Sequence, residues 1–360
     1  MPTSKMLQEI RQQPQVLENT LRHELASANQ LRARLARKRP RLIVLVARGT
    51  SDNAAQFGRY LLEITTGIPT SLAAPSIFTL YHASVDFKDT LLVAISQSGE
   101  STDTNLVLKQ ARAAGALTVG ITNEASSQMA KLCEHLFLVR AGKEKSVAAT
   151  KTYTGQLLMI YLLAYALGAP IAIDDLRRLP QWTSQALKLE REIAERAERF
   201  RFMDHAVVVG RGLNYSNAFE FALKLMETCY VVAERFSSAD LLHGPIAMVE
   251  PELPVFLFAP SGVTWESQSS LMRRLWQVKA EVTVITDQSN PQAVKALNGH
   301  KLSQCICLPA RLAHQDRTPA ELYTPIPYIV PAQILAASLA EIKGLDPDRP
   351  RSLKKVTLTL

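Results

Sequence analysis

The first stretch whose residue types could do chemistry is a hydroxyl-rich turn, SQSGES at positions 96–101. Five apolar residues, 91–95, run into it as a buried strand would, and residues 102–114 follow with apolar side chains at helical spacing. A strand, a turn and a helix in this order leave free backbone N–H groups at the helix N-terminus, which can bind an anion. The turn contains no lysine and the sequence has no GxxxxGK[ST] nucleotide loop, so the donors would be hydroxyls and amides. The alternative interpretation is a plain helix cap.

A second candidate is the charged cluster Glu220, Lys224 and Glu227 on a predicted helix. Lys224 comes four residues after Glu220 and three before Glu227, so the three side chains are neighbours on one face. An exposed ion pair is the simplest interpretation, but the surrounding residues are almost all apolar. Charged groups on so apolar a helix need pairing and are typical of functional sites. A third candidate is His243, which precedes a constraining Gly-Pro pair, although a lone histidine is more often structural.

The elements that would position these residues alternate between strands and helices along the chain. Such alternation is typical of a parallel, doubly wound α/β sheet. Predicted strands include residues 41–47, 91–95, 118–122, 205–210 and 254–259, and predicted helices include 1–38, 52–65, 102–114, 150–167, 215–231 and 331–343.

The pattern restarts half-way through the chain. The tripeptide ARG at 47–49 matches GRG at 210–212, and Asn-Ala at 53–54 matches Asn-Ala at 217–218. A repeat of this length predicts two similar α/β domains side by side. Only the first keeps the full hydroxyl-rich turn; the second has Ala-Pro-Ser in place of Ser-Gln-Ser, which suggests that one domain holds an anion and the other contributes different chemistry.

This repeat sets the predicted domain boundaries. They are an N-terminal helical segment at 1–40, a first domain at 41–178, a connecting helix at 179–201, a second domain at 202–344 and a C-terminal tail at 345–360.

Composition places the chain among soluble globular proteins, with 47% hydrophobic and 21% charged residues. No apolar run is long enough to cross a membrane, and the polar N-terminus does not resemble a signal peptide. The four cysteines lie in apolar contexts, and Cys305 and Cys307 alternate as if on one face of a strand. We therefore expect a cytoplasmic protein with reduced thiols and no metal site.

The net charge of +8 raises the question of nucleic-acid binding. Much of the excess lies in two basic runs, 32–41 and 349–355, and aromatic residues do not interleave with the first of them. No helix-turn-helix or zinc finger is visible. The charge would also favour a small anionic substrate, so we expect neither a nucleic-acid nor a membrane partner.

Taken together, five motifs resemble those of tandem sugar-isomerase (SIS) proteins. The similarity covers nearly the whole chain and is to the isomerase half of glucosamine-6-phosphate synthase and to type II glucosamine-6-phosphate deaminases. The motifs are GTS at 49–51, SQSGES at 96–101, ALKLME at 222–227, HGP at 243–245 and RPRSLKKVT at 349–357. The resemblance implies two tandem flavodoxin-like SIS domains whose active site is closed by the C-terminal tail.

The resemblance also implies roles for individual residues of the first domain, which would hold the sugar and its phosphate. These residues are Gly49, Thr50, Ser51, Ser96, Gln97, Ser98, Ser101, Val147 and Ala149. Ser101 stands where the synthase has a threonine and keeps the hydroxyl. Ala149 replaces a sugar-contacting serine, which leaves the identity of the sugar open.

Four further residues would carry the reaction. Glu227 would move a proton between C1 and C2 of the open-chain sugar, supported by Lys224. His243 would open the ring and, in this family, reaches the site of the neighbouring subunit, which implies a homodimer. Lys355 would form a Schiff base with the keto sugar, and Lys354 beside it replaces an alanine of the synthase.

The function expected from this resemblance is that of an aminosugar-phosphate deaminase and isomerase. It would convert glucosamine 6-phosphate to fructose 6-phosphate and ammonia without a cofactor. The synthase's glutaminase domain, which begins with a cysteine after the initiator methionine, is expected to be missing because Pro2-Thr3 follows Met1. The alternatives are a fructosamine-6-phosphate deglycase, a galactosamine-6-phosphate deaminase and a non-catalytic phosphosugar sensor.

Overall fold

The computed structural model describes residues 3–313, 319–353 and 355. These residues form two sheets surrounded by helices. The strands are β1 (Leu42–Val46), β2 (Thr70–Leu72), β3 (Thr90–Ser96), β4 (Leu117–Thr122), β5 (His135–Leu138), β6 (His205–Gly210), β7 (Val232–Ser237), β8 (Pro254–Phe258), β9 (Glu281–Asp287) and β10 (Ser303–Leu308). The helices are α1 (Lys5–Arg11), α2 (Gln13–Arg37), α3 (Thr50–Thr66), α4 (Ser76–Thr79), α5 (Thr102–Ala113), α6 (Gln128–Leu132), α7 (Lys151–Ala166), α8 (Ile173–Leu187), α9 (Glu190–Ala197), α10 (Tyr215–Cys229), α11 (Ser238–Leu242), α12 (Trp265–Gln277), α13 (Pro291–Leu297) and α14 (Pro325–Ile342).

The first sheet is parallel throughout, with the strand order β2-β1-β3-β4-β5. Its central strand β3 is buried at all seven positions, as expected for a near-continuous apolar run covered by helices on both faces. The chain order reverses between β1 and β3. In open α/β sheets, ligands bind at the carboxyl edge of such a reversal point.

The second sheet repeats this arrangement. Its order, β10-β9-β8-β6-β7, is the same 2-1-3-4-5 order read from the other end, and all its strand pairs are parallel. The reversal point lies between β6 and β8. The predicted fold class, two doubly wound parallel-sheet domains in tandem with a helical N-terminus, is confirmed.

The chain divides into two compact units. The first-sheet unit contains residues 12–178 with the described part of 352–360, and its helices α2 and α3 pack on α7. The second-sheet unit contains the described part of 1–11 with residues 179–351, and its helices α1, α9 and α10 pack on α14. Within this unit the Asp348 carboxylate caps α1, because it accepts the amides of Lys5 and Met6, each at 2.8 Å.

Helix boundaries differ from the prediction at both ends of the chain. The predicted single N-terminal helix is two helices separated at Gln12, and Pro14 lies in the first turn of α2, where its missing N–H costs nothing. The last helix starts at Pro325, six residues earlier than predicted, and contains Pro331 in its interior. The end of the tail, from 356 onward, lies outside the described residues.

Helix α14 is uniformly apolar. Among the described residues it is the one helix long and apolar enough to cross a membrane, but 89% of that stretch is buried inside the protein. It therefore has the surroundings of a core helix. Its neighbours α9 and α10 cover it within the second-sheet unit.

Candidate active site

The hydroxyl-rich turn joins β3 to α5 at the carboxyl edge of the first sheet. The Ser96 Oγ accepts a hydrogen bond from the amide of Gly99 at 3.1 Å. The Ser98 Oγ accepts one from the amide of Glu100 at 3.2 Å. Two hydroxyls thus fold the turn back on its own backbone and set the shape of the loop.

Gly99 is required at its position in this turn. Its φ angle is +67°, and a Cβ there would lie 2.3 Å from the Ser127 Oγ and 2.9 Å from the Thr122 Oγ1. Ser127 in turn caps α6 by accepting the amide of Ala130. The turn therefore packs so closely against the end of β4 and the start of α6 that a larger residue would displace it.

The second loop at the reversal point joins β1 to α3. Gly49 has a φ of +58° and is the N-cap of α3, and Thr50 and Ser51 are the first residues of that helix. The carbonyl of Gly49 accepts the amide of Asp52 at 2.9 Å. The buried Ser51 Oγ accepts a hydrogen bond from the Gln156 Nε2 of α7 at 2.9 Å. The loops on both sides of the reversal point thus lead into helix N-termini with hydroxyl-bearing residues.

The buried carboxylate of Asp103 ties the two loops together. Ser101 donates its hydroxyl hydrogen to the Asp103 Oδ1 at 2.7 Å, and the Thr104 amide donates to the same oxygen at 2.8 Å. The Arg48 Nε donates to the Oδ2 at 2.6 Å. Burial alone would raise the pKa of Asp103, but the hydrogen bonds from Ser101 and Arg48 and the Arg48 charge hold that pKa below its ordinary value. Asp103 is therefore an anion, and it fixes one hydroxyl and one cation at the turn.

A cavity of about 670 Å³ adjoins the turn within the first-sheet unit. This volume is within the range of small-molecule sites. The cavity brings together two predicted sugar-binding residues and the predicted Schiff-base lysine. Its lining consists of Gln97, Ser98, Glu100, Asn123, Glu124, Gly142, Lys143, Glu144 and Lys355.

Lys355 is held in this cavity by an ion pair. Its Nζ lies 3.1 Å from the Glu144 Oε2 and 2.7 Å from the carbonyl of Ser146. Glu144 also accepts the amides of Thr150 and Thr152 at 2.9 and 3.2 Å and the Thr152 hydroxyl at 2.6 Å. Full burial would raise the pKa of Glu144, but Lys355 and the hydrogen bonds from Thr152 and Thr150 hold it below its ordinary value. A carboxylate kept ionised in this way pairs with the Nζ of Lys355 and fixes its position in the cavity.

Val147 and Ala149 lie in the segment between Glu144 and the start of α7, and both are partly buried. The residues between and around them, Ala148 and Thr150, are buried. Neither Val147 nor Ala149 lines the cavity. The structure thus places these two predicted sugar-binding residues beside the cavity wall rather than in it.

In the second-sheet unit, α10 carries the charged cluster. Lys224 is fully buried; its Nζ lies 2.6 Å from the Glu227 Oε2 and 3.5 Å from the Glu220 Oε1. Glu220 is also fully buried, whereas the Glu227 side chain is 24% exposed. The exposed surface ion pair, the simplest interpretation of this spacing, is therefore wrong. Glu227 is the one member of the cluster that a ligand could reach.

His243 follows α11 in the same unit and is exposed. Its amide bonds to the carbonyls of Ala239 and Asp240, and Gly244 after it has a φ of +134°, which only glycine adopts easily. Helix α11 packs on β7 and α12. The structure thus presents the imidazole on the surface of the second-sheet unit.

Three residues of this site were missed by the sequence analysis: Glu144, Arg48 and Asp103. Glu144 is three residues before Val147, but nothing in that spacing indicates a partner for a lysine in the tail. Among the described residues, no group of three or more His, Cys, Asp and Glu side chains is arranged to hold a metal ion.

The fold and the site define a class: a two-repeat α/β protein with a hydroxyl-rich turn at the reversal point of one repeat. A family model described as SIS domain matches residues 36–166 and 200–300, and the chain belongs to this family.

Comparison with known proteins gives relatives over nearly the whole chain. It is 36% identical over 357 residues to a glutamine–fructose-6-phosphate aminotransferase (isomerizing) of Pyrococcus horikoshii, covering 97% of this chain but 57% of that protein. The chain thus spans little more than half the length of this relative.

Two solved structures also resemble the chain over nearly its whole length. The C-terminal domain of glucosamine-fructose-6-phosphate aminotransferase from Francisella tularensis has a TM-score of 0.84 at 29% identity, covering 96% of this chain and 98% of that one. A glucosamine-6-phosphate deaminase of Thermotoga maritima has a TM-score of 0.77 at 22% identity, covering 99% of this chain and 100% of that one, which shows a shared fold.

Proposed function

We propose that this chain is an aminosugar-phosphate deaminase of the isomerase type, which converts glucosamine 6-phosphate and water to fructose 6-phosphate and ammonia. The observation that carries the proposal is the amine of Lys355 in one cavity with Gln97 and Ser98 of the hydroxyl-rich turn. The turn would hold the phosphate, and the amine would meet the sugar carbons. The aminotransferase relatives support a phosphorylated hexose or aminosugar as the substrate class.

The first chemical step is a proton transfer. In the open-chain aminosugar C1 is an aldehyde and C2 carries the amine. Moving a hydrogen from C2 to C1, together with a proton from the amine to the C1 oxygen, gives a hydroxymethyl group at C1 and a neutral ketimine at C2. A single carboxylate poised between the two carbons can do this, and Glu227 is proposed as that base. The buried ammonium of Lys224, 2.6 Å from Glu227, would balance its charge and hold its position.

The second step releases ammonia. The neutral ketimine and the ammonium of Lys355 exchange amines, which forms a protonated Schiff base between C2 and Lys355 and frees one molecule of NH₃. Water then adds to C2 and expels the lysine, which yields the ketone of fructose 6-phosphate and restores the ammonium of Lys355. The ion pair with Glu144, present before the reaction, is thereby restored.

Ring opening and dimerisation belong to the same proposal. His243 would protonate the ring oxygen in the site of a second copy as the bond from C1 to that oxygen breaks and the C1 hydroxyl releases its proton to water. Its exposed position agrees with this role. Mixing inactive His243→Ala chains with inactive Glu227→Gln chains should then restore activity, because one of the two mixed sites would contain both residues. Activity that stays absent although mixed dimers form would show that His243 does not act across subunits.

The decisive test of function is ammonia release by the purified chain, without glutamine, across a panel of sugars. Glucosamine 6-phosphate is expected to give the highest kcat/KM. A higher kcat/KM for fructosamine 6-phosphate or galactosamine 6-phosphate would change the proposed substrate but leave the proposed release of ammonia in place. Interconversion of fructose and glucose 6-phosphates without ammonia would indicate an isomerase only, and binding without turnover would indicate a sensor.

A further inference from the structure

A phosphate held by the hydroxyl-rich turn needs a counter-charge, and the two lysines in the cavity wall, Lys143 and Lys355, do not belong to the loops at the reversal point. A sugar phosphate carries nearly two negative charges at neutral pH. The turn at 96–101 contributes no cation and adds the carboxylate of Glu100. The two loops at the reversal point, 47–51 and 96–101, contain a single cationic residue, Arg48.

The position of Arg48 is set by Asp103. The ion pair is unequal, since the Arg48 side chain is 52% exposed while that of Asp103 is 1% exposed. The contact uses the Nε–H at 2.6 Å, and a guanidinium has four further N–H donors on its two Nη atoms. Arg48 is thus anchored at one edge and accessible to solvent on the rest of its surface.

The same carboxylate holds a hydroxyl of the turn. Ser101, a predicted phosphate-binding residue, donates to the other oxygen of Asp103. One buried anion therefore fixes the relative position of a cation from the β1 loop and a hydroxyl from the β3 turn. A guanidinium beside hydroxyls and the N-terminal amides of helices is suited to bind phosphate.

We propose that Arg48 binds the phosphate of the substrate, that Asp103 is its positioning residue, and that this pair gives the chain its preference for phosphorylated over neutral sugars. The proposal rests on the proposed phosphosugar site but not on the reaction that follows. It adds a charge-based determinant to a loop whose other donors are neutral.

The test is binding of inorganic phosphate and of fructose 6-phosphate, measured by titration calorimetry. Arg48→Gln should weaken both affinities about ten- to hundredfold, the range for a hydrogen bond to a charged group. Arg48→Lys should lose less affinity, because the positive charge remains although the paired N–H donors of the guanidinium are absent. Arg112→Gln is the matched control, since Arg112 lies at the other end of α5 and bonds to the carbonyl of Leu132.

Asp103 is tested by a double-mutant cycle. Asp103→Asn should weaken phosphate binding by a smaller factor, and Arg48→Gln should cost much less in that background than in the wild type, because the arginine has already lost its anchor. A merely structural Asp103 would give additive losses. Melting temperatures check folding, and the loss of phosphate affinity in Arg48→Lys decides the matter if Arg48→Gln unfolds early.

The outcomes separate the two proposals. Full phosphate affinity in Arg48→Gln, or an equal loss in Arg112→Gln, would overturn the assignment of Arg48 while the aminosugar reaction stands. Absence of ammonia release with phosphate binding intact and sensitive to Arg48 would overturn the reaction and leave Arg48 in place.

Discussion

The two repeats share one topology but treat the turn at their reversal points differently. The turn after β3 opens on a cavity with Gln97 and Ser98 in its wall. The turn after β8 is instead in contact with the carboxylate of Glu321. The amide of Val263 donates to the Glu321 Oε2 at 3.3 Å. A Cβ on Gly262 would lie 1.9 Å from the same oxygen. One turn faces a cavity, while the other already holds an anion of the chain itself.

A buried polar network keeps Glu321 in this place. Glu321 is 2% exposed, and its carbonyl accepts the Thr324 hydroxyl at 2.9 Å. That hydroxyl accepts the Asn214 Nδ2 at 2.8 Å, and the Asn217 Nδ2 donates to the carbonyl of Pro325 at 2.9 Å. The start of α14 is thus locked to the start of α10, and the carboxylate is held against the turn.

The helices that follow the first strand of each repeat, α3 and α10, also differ: here it is the second repeat that carries the charged cluster. Glu63 comes ten residues after Asn53, as Glu227 comes ten residues after Asn217. The Glu63 Oε1 accepts the amide of Thr70 at 2.8 Å, a contact that fixes the start of β2. Glu227 belongs instead to the charged cluster of α10. The proposed function therefore predicts that the first repeat binds the phosphate and the second supplies the base.

The sharpest test of this division replaces each of the two equivalent glutamates, Glu227 and Glu63, by glutamine. Glu227→Gln should lower kcat for ammonia release by about 10²- to 10⁴-fold, the range for a general base, and leave the affinity for fructose 6-phosphate nearly unchanged. Glu63→Gln is the matched control, since the amide oxygen can still accept Thr70, and should leave kcat unchanged. A similar fall in both variants would mean that the loss comes from the helices and not from the base.

The next effect concerns the charge in the cavity of the first repeat. Glu144→Gln should destabilise the protein by roughly 3 kcal/mol at neutral pH, because it breaks a buried ion pair. Since the folded-state pKa of Glu144 is lowered, its contribution is full above the ordinary pKa of a glutamate and is lost as the pH falls through the lower, folded-state value.

Melting curves between pH 7 and pH 3 check this expectation: the gap between wild type and Glu144→Gln should shrink on acidification. Glu124→Gln is the control, because Glu124 lines the same cavity but bonds only locally to Ser126. A gap that is constant with pH, or one equally large in Glu124→Gln, would contradict a special role for Glu144.

The third effect compares the two turns directly. Ser98→Ala should weaken fructose 6-phosphate binding by about 1.5–3 kcal/mol if its hydroxyl contacts the charged phosphate. Ser261→Ala changes the matching serine of the second turn and should have no such effect, since that turn holds Glu321. Calorimetric titration measures both, and equal losses would break the proposed asymmetry.

Much of the difference between the two repeats was predictable from the sequence, because it depends on residues that are close together in the chain. The change from Ser-Gln-Ser to Ala-Pro-Ser marks the second turn as different, and the spacing of Glu220, Lys224 and Glu227 brings them together on any helix. The two central strands β3 and β8 are apolar runs that the sequence analysis identifies. The edge strands β7 and β10 are more polar and half-exposed, so their pattern is weaker.

What could not be predicted depends on contacts between distant positions. Lys355 reaches Glu144 across 211 residues, Arg48 reaches Asp103 across 55, and Glu321 reaches Val263 across 58. No local pattern indicates these pairings, because they arise when the sheet brings separate loops to one edge. The sequence therefore predicts which turn is a candidate binding site, but not which charged side chains contact each turn.

The smallest effect tests the anion on the second turn. Burial raises the pKa of Glu321 despite hydrogen bonds from the amides of Val263 and Thr264. An acid whose folded-state pKa is raised costs stability above that pKa, and the cost disappears as the pH falls below the ordinary value. Glu321→Gln keeps an oxygen for the Val263 amide without the charge, so it should be more stable than wild type at pH 7.5 by on the order of 1 kcal/mol. The advantage should vanish near pH 4, opposite in sign to the effect of Glu144→Gln.

Thermal melts at the two pH values measure this difference, with Glu266→Gln, an exposed glutamate in the first turn of α12, as the control. A Glu321→Gln variant that is less stable than wild type at pH 7.5 would mean that the charge itself holds the turn together. The second turn would then be a bound-anion site whose ligand is Glu321, as dependent on negative charge as the first turn is proposed to be on phosphate. A variant that is more stable would mean instead that shape, and not charge, closes the second turn, and that the two repeats differ in electrostatics as well as in access.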